Sequence, residues 1–249
     1  MRLFGLIGYP LGHSFSEAYF RDKFQAENIP DAQYRNFPID SIDKLLTLIE
    51  ENPALRGLNV TIPYKQVIIP YMDELYSPAE EIGAVNTIKV VSLSGTGRKI
   101  LKAYNTDVYG FDKSLNGILH SGVNKALVLG SGGASVAVKY VLEKRGFLVK
   151  IVSRKVKDNC LTYDDIDDKI MKEYLLIVNA SPLGTYPDID TAPDIPYNRI
   201  TSSHILYDLV YNPTMTLFMK KGKEKGAVVK NGYQMLVNQA EKAWEIWNS

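Results

Sequence analysis

Val128-Leu-Gly-Ser-Gly-Gly-Ala-Ser135 closes an apolar run, Ala126 to Leu129, and opens a segment of helical period, Ser135 to Arg145, so it reads as a glycine turn between a strand and a helix. Gly130 permits the sharp turn, and Gly132 lets backbone approach an anionic ligand. The helix that follows offers unpaired N–H groups and the positive end of its dipole, which suits a pyrophosphate without any lysine. The usual GxGxx(G/A) pattern has glycine or alanine where this chain has Ser135, so a glycine turn with no ligand is the competing interpretation. Further apolar runs at Leu148 to Val152, Tyr174 to Asn179 and Ile205 to Leu209 predict a doubly wound parallel sheet.

Upstream, a separate alternating series predicts a second α/β body. Leu3 to Ile7 reads as a strand, Ser16 to Ala26 as a helix burying Ala18, Tyr19, Phe20 and Phe24, Tyr34 to Ile39 as a strand and Ile42 to Glu51 as a helix. Leu58 to Ile62 makes a strand stopped by Pro63, and Ala84 to Val91 with Lys99 to Tyr104 forms a hairpin around Ser94-Gly-Thr-Gly. From Asp107, the positions Val108, Phe111, Leu115, Ile118 and Leu119 have helical spacing and lead out of this body. A last helix, Tyr233 to Trp247, carries Leu236, Ala240, Ala243, Trp244 and Trp247 on one stripe, which we expect to pack on the first body. The expected domains are 1–106 with 233–249, and 107–232.

Composition narrows the function classes. The chain has 249 residues, 45% of them hydrophobic, enough for two modest cores. Its 29 basic and 28 acidic residues leave a charge of +1, with no basic stripe interleaved with aromatics, so nucleic acid is not an expected partner. Cys160, the single cysteine, cannot form an internal disulfide, which favours a reducing compartment. Gly5, Gly8, Pro10 and Gly12 interrupt the first apolar stretch, and no membrane span or export signal is read, so a cytoplasmic protein is expected. His13, His120 and His204 are not spaced as metal ligands, and no metal is expected.

Two groups of residues carry chemistry. At the end of Leu148 to Val152, where NAD enzymes often place an acid to hold the ribose hydroxyls, stand Ser153, Arg154 and Lys155. A guanidinium and an ammonium attract a 2′-phosphate, so NADP is favoured over NAD, unless both are ordinary surface charges. In the first body, period-two alternation puts Asn59 and Thr61 on one strand face, and Ser14, Ser16 and Asn86 add hydroxyls and an amide suited to a polyhydroxylated small molecule. Ser16 also fits a helix N-cap, and Asn86 a turn. Reduction of a ketone by hydride needs a proton donor beside the carbon, and Lys65 with Asp107 supplies a lysine and a carboxylate for that role. Lys65 could instead snorkel at a helix start, and Asp107 could cap the helix from Val108.

These residues sit in Gly8-Tyr-Pro-Leu-Gly-His-Ser-Phe-Ser16, Gly57-Leu-Asn-Val-Thr-Ile-Pro-Tyr-Lys65, Gly83-Ala-Val-Asn-Thr87, Asn105-Thr-Asp107 and Gly130-Ser-Gly-Gly-Ala-Ser135. Three more segments follow: Asn179-Ala-Ser-Pro-Leu-Gly184, Asp208-Leu-Val-Tyr-Asn-Pro213 and Met235-Leu-Val-Asn-Gln239. In that order they resemble the successive motifs of the shikimate dehydrogenase family. The resemblance implies an N-terminal α/β substrate domain, a Rossmann-like NADP domain, and NADPH-dependent reduction of 3-dehydroshikimate to shikimate. It further implies that Ser14 and Ser16 hold the substrate carboxylate, with Asn59, Thr61, Asn86, Tyr211 and Gln239 lining the rest, and that Lys65 and Asp107 are the catalytic pair. Cofactor contacts would fall to Gly130, Ser131, Gly132, Gly133 and Ala134, to Ser153, Arg154 and Lys155, and, near the nicotinamide, to Ser181, Leu209 and Gly232. Family members that prefer NADP commonly read Asn-Arg-Thr where this chain reads Ser153-Arg-Lys155, and the stretch from Arg154 to Tyr174 is short, which predicts a thin adenine-side wall. An NAD-preferring quinate/shikimate dehydrogenase and a non-catalytic binder of pathway intermediates are the alternatives. A monomer or homodimer is expected.

Overall fold

The computed structural model describes residues 1–11, 15–93, 95, 97–155 and 160–249. The chain divides into two compact units, Met1–Thr106 with Ala240–Ser249, and Asp107–Gln239.

The first unit runs β1 (Arg2–Gly8), α1 (Phe15–Ala26), β2 (Ala32–Pro38), α2 (Leu45–Glu51), β3 (Leu55–Val60), β4 (Glu74–Leu75), α3 (Ala79–Ile82), β5 (Thr87–Ser92) and β6 (Lys99–Tyr104). Its sheet has the order β2-β1-β3-β5-β6-β4. β1 pairs in parallel with β2 and β3, while β5 pairs antiparallel with β3 and β6. The hairpin is therefore as expected over Thr87–Ser92 and Lys99–Tyr104, although Ala84 to Asn86 precede the strand, and Ser94 and Thr96 of its turn lie outside the described residues. Of the four residues expected to bury from α1, Phe20 and Phe24 do so; Ala18 and Tyr19 are half-buried, the Tyr19 hydroxyl donating to Glu241.

α4 (Thr106–Ser114) begins at the boundary between the units. The second unit continues with β7 (Lys125–Leu129), α5 (Gly133–Lys144), β8 (Leu148–Val152), β9 (Cys160–Leu161), α6 (Asp168–Glu173), β10 (Leu176–Asn179), β11 (Ile205–Asp208), α7 (Leu217–Glu224) and β12 (Val228–Lys230), and α8 (Tyr233–Asn248) is divided between the units at Ala240, not assigned whole to the first as expected. Its strands are all parallel in the order β12-β11-β10-β7-β8-β9. Counted from β7 this is 3-2-1-4-5-6, the doubly wound order in which ligands bind outside the C-terminal ends of the strands. α4 ends at Ser114, so Leu115 is buried from a turn and Ile118 and Leu119 pack partly buried beyond the helix.

The stripe on α8 divides. Ala240, Ala243 and Trp247 pack with Phe4, Phe20, Phe24 and Tyr34 in the first unit, as expected. Leu236 is only half-buried, and Met235 enters the core of the second unit instead. Trp247 stacks on Phe4 with ring centroids 4.9 Å apart and donates from Nε1 to the Ile88 carbonyl at 2.9 Å. Gly57 leaves room for that indole: a Cβ there would lie 2.2 Å from Trp247 Nε1.

Candidate active site

In the first unit the polar residues gather where β1 and β3 end. β3 stops at Val60, two residues before the expected end, and Thr61 instead hydrogen-bonds to the Ile7 carbonyl through its backbone N–H at 2.9 Å. Pro63, which lacks an N–H, cannot continue the ladder, so the chain turns through Tyr64 and Lys65. Thr61 thus lies just past the strand that carries Asn59; Asn59 is buried at 5% exposure, and Thr61 is half-buried in the turn. Gly8 admits this crossing, since a Cβ there would lie 2.4 Å from Thr61 Cγ2.

A hydrogen-bonded chain links the expected residues. Ser16 lies in the first turn of α1 rather than at its N-cap, and its hydroxyl bonds that of Tyr34. The Tyr34 hydroxyl donates to Asn59 Oδ1 at 2.8 Å, and Asn59 Nδ2 reaches the Asn86 carbonyl and Thr87 Oγ1 at 3.4 and 3.3 Å. Burial pushes the Tyr34 phenol upward, so it stays a neutral donor. Asn86 is no mere turn residue: its Oδ1 accepts from the Thr106 N–H at 2.6 Å and from Thr106 Oγ1 at 3.2 Å, capping α4 from the segment that precedes β5. Ser14 lies outside the described residues.

Lys65 is half-buried in the turn after β3, not at a helix start, and its carbonyl accepts from the Val85 N–H at 2.7 Å, which holds it beside the Val85–Asn86 segment. Asp107 is inside α4 rather than preceding it, so it does not cap a helix from Val108; it is 6% exposed in the first turn. One turn on, Gly110 lets α8 approach, since a Cβ there would meet the Met235 carbonyl at 2.6 Å and Gln239 Cβ at 3.0 Å. Gln239 is thereby set against α4, on the face that Asp107 shares by its spacing from Gly110.

In the second unit, Gly130 has φ +120° and its N–H bonds the Val152 carbonyl at 2.8 Å. A Cβ there would stand 3.1 Å from Ala180 backbone, so the glycine is needed for the turn and for the close strand. Gly132 is the N-cap of α5, with nothing within 4 Å of a Cβ, so open space lies before the helix N-terminus. That is what a pyrophosphate requires. Ser131, Gly133 and Ala134 surround this opening along the chain. Ser135 fills the third pattern position without harm: it is buried, and its hydroxyl donates to the Gly132 carbonyl at 2.6 Å.

Beyond β8, Ser153 is buried and accepts from the Lys155 N–H at 3.3 Å, while Arg154 and Lys155 are exposed. Arg154 borders a cavity of about 430 Å³ whose other walls are Thr162, Tyr163, Asp164, Leu183, Ala192 and Asp194. Among the described residues Arg154 makes no ion pair, although Asp164 and Asp194 line the same cavity. After β9, Thr162 and the 3-10 turn at Tyr163–Asp165 supply one side of this wall. Tyr211 is half-buried, and burial raises its phenol. Ser181 and Leu209 lie directly beyond β10 and β11, and Gly232 touches the latter: a Cβ on it would be 2.1 Å from the Leu209 carbonyl oxygen. The cavity walls, and a buried carboxyl at Asp208, escaped the sequence reading. A signal existed for Asp208, since Leu176-Ile-Val-Asn179 and Ile205-Leu-Tyr-Asp208 are apolar runs ending in polar residues.

A parallel sheet of this order, with an open glycine turn and a cavity bordered by Arg154, in one chain with an α/β unit carrying a polar cluster, defines a dinucleotide-dependent dehydrogenase. Residues 6–88 match the family model of the shikimate dehydrogenase substrate binding domain. A shikimate dehydrogenase (NADP(+)) from Methanococcus maripaludis is 39% identical over 267 residues, covering 99% of this chain and 91% of the relative. The crystal structure of Thermus thermophilus shikimate 5-dehydrogenase in complex with NADP(H) and shikimate is similar with a TM-score of 0.84 at 30% identity, covering 99% of this chain and 93% of that one. Quinate dehydrogenase from Corynebacterium glutamicum in complex with NAD is similar with a TM-score of 0.85 at 26% identity, with the same coverage of 99% and 93%. The chain belongs to the shikimate dehydrogenase family.

Proposed function

We propose that this protein catalyses the reversible NADP-dependent oxidation of shikimate to 3-dehydroshikimate, a step toward chorismate and the aromatic amino acids, in the cytoplasm and as a monomer or homodimer. The observation that carries the cofactor choice is Arg154, exposed on the 430 Å³ cavity beyond β8 with no carboxylate ion pair among the described residues. A guanidinium there binds a 2′-phosphate with two charge-assisted hydrogen bonds, and an NAD enzyme gains nothing from it.

The open N-terminus of α5 at Gly132 receives the pyrophosphate. NADP, when bound, supplies the hydride acceptor. Ser14 and Ser16 hold the substrate carboxylate, and Asn59, Thr61, Asn86, Tyr211 and Gln239 bind its hydroxyls. Lys65 takes the proton from the reacting hydroxyl as the C–O bond becomes a carbonyl, and returns it in the reverse direction; Asp107 supports that exchange. The test is a four-way steady-state comparison, shikimate or quinate with NADP or NAD, followed at the absorbance of the reduced nicotinamide. Shikimate with NADP should give the highest kcat/KM. A preference for quinate with NAD would favour the alternative enzyme, and absence of turnover with all four pairs would favour a binding protein.

A further inference from the structure

Asp208 is fully buried at the last position of β11, directly opposite Asn179 at the last position of β10. Both face the edge of the sheet where doubly wound folds bind ligands. The carboxylate accepts three hydrogen bonds, from the end of β10, from the loop after β11 and from the head of α7. Oδ1 takes Asn179 Nδ2 at 2.9 Å and the Val210 N–H at 3.0 Å, and Oδ2 takes the Thr216 hydroxyl at 2.6 Å. Each partner passes the constraint on. Asn179 Oδ1 accepts from the Ser181 N–H and hydroxyl at 3.0 and 2.6 Å, so the loop after β10 hangs on the same side chain. The Val210 carbonyl accepts from the Gly232 N–H at 3.2 Å, and Gly232 is pressed against Leu209. Thr216 caps α7, accepting from the Met219 N–H at 3.3 Å.

Burying a carboxylate without a cationic partner is costly, and burial indeed raises its pKa to about 6. An apolar residue would pack there at lower cost, so the group is better explained by what it orders than by stability. What it orders is the set Ser181, Leu209 and Gly232. We propose that Asp208 is a positioning residue for hydride transfer, its carboxylate tying the loops after β10 and β11 to the head of α7 so that the nicotinamide half of the dinucleotide is held in one orientation. This rests on the cofactor role proposed above for those three residues. The adenosine half, at Arg154 beyond β8, shares none of the Asp208 hydrogen bonds.

The test separates the two halves. Thr216→Val removes one donor and leaves the carboxylate oxygen unsatisfied, Thr216→Ser restores the hydroxyl, and Asp208→Asn turns an amide N–H2 toward Thr216. Turnover with shikimate and NADP is measured beside the dissociation constant of adenosine 2′,5′-bisphosphate, which lacks the nicotinamide, and the fluorescence enhancement of bound NADPH. The expected result for Thr216→Val and Asp208→Asn is a kcat lowered at least tenfold and a reduced enhancement, with bisphosphate affinity within twofold of wild type and recovery of most turnover in Thr216→Ser. Unchanged turnover in folded Thr216→Val and Asp208→Asn, or bisphosphate affinity falling in step with turnover, would overturn the positioning role. Failure of the wild-type protein to bind the bisphosphate would instead overturn the cofactor site on which the role rests.

Discussion

Replacing Asp208 by asparagine should change the pH dependence of stability in a defined direction. The carboxyl has a pKa of about 6 in the fold, raised chiefly by burial, with the hydrogen bonds from Thr216, Val210 and Asn179 opposing the rise. In the unfolded chain it ionises near 3.8. A raised acid binds its proton more tightly when folded, so its favourable contribution is complete below the unfolded pKa and is lost as pH rises through the folded one. The difference between 3.8 and about 6 corresponds to about 3 kcal/mol, at 1.36 kcal/mol per tenfold change. Asparagine cannot ionise, yet keeps an oxygen for Asn179 and Val210. The stability of Asp208→Asn relative to wild type should therefore rise by up to about 3 kcal/mol between pH 4 and pH 7. A chain of two units need not unfold in one step, so amide hydrogen exchange along β10 and β11 is the appropriate assay, read as the difference between variant and wild type at each pH. Exposed carboxylates such as Asp31 and Asp165, whose pKa values are lowered, cancel in that difference. A difference that stays flat from pH 4 to 7, or that moves toward wild type, would refute the assignment of a buried, uncompensated carboxylate.

Arg154→Ala should weaken NADP by roughly 10- to 150-fold, the loss of charge-assisted hydrogen bonds worth about 1.5–3 kcal/mol, while NAD is nearly unaffected; an equal loss with both cofactors in the same kinetic assay would point away from the 2′-phosphate. Gly57→Ala should destabilise the first unit by about 1–3 kcal/mol, because the new methyl would overlap the Trp247 indole and dislodge its bond to Ile88. Exchange protection of β3 and β5 amides, compared with wild type, checks this, and unaltered protection would show that the indole yields without cost.

Much of the fold was legible because its cores are built from simple periods. The run Ala126 to Leu129 is apolar throughout and Ile205 to Leu209 is apolar except for Asp208, as strands covered on both faces require, and their alternation with helical segments leads to the observed parallel sheet. What escaped were short elements without a period of their own. β4 and β9 have two residues each, and β9 was hidden in a stretch that looked merely trimmed. The expected strand Leu58 to Ile62 ran past the observed end at Val60 because alternation continues through Thr61, where backbone bonds to the β1 segment persist up to the residue before Pro63. Glycine chemistry at Gly130 and Gly132 was readable, since it depends on local conformation alone. The role of Asn86 was not: capping α4 joins residues twenty positions apart, and no local pattern encodes it. Asp208 was marked only as the polar end of an apolar run, and its tie to Asn179, twenty-nine positions away, had no local pattern.

The assignment of Lys65 as the proton-exchanging group is tested most directly by the rate of hydride transfer in Lys65→Ala, measured in a single turnover of shikimate with saturating NADP. General acid–base assistance is typically worth about 100- to 10,000-fold, so the rate should fall by that order while the dissociation constant of shikimate rises little. A folded Lys65→Ala protein that transfers hydride at close to the wild-type rate would contradict it.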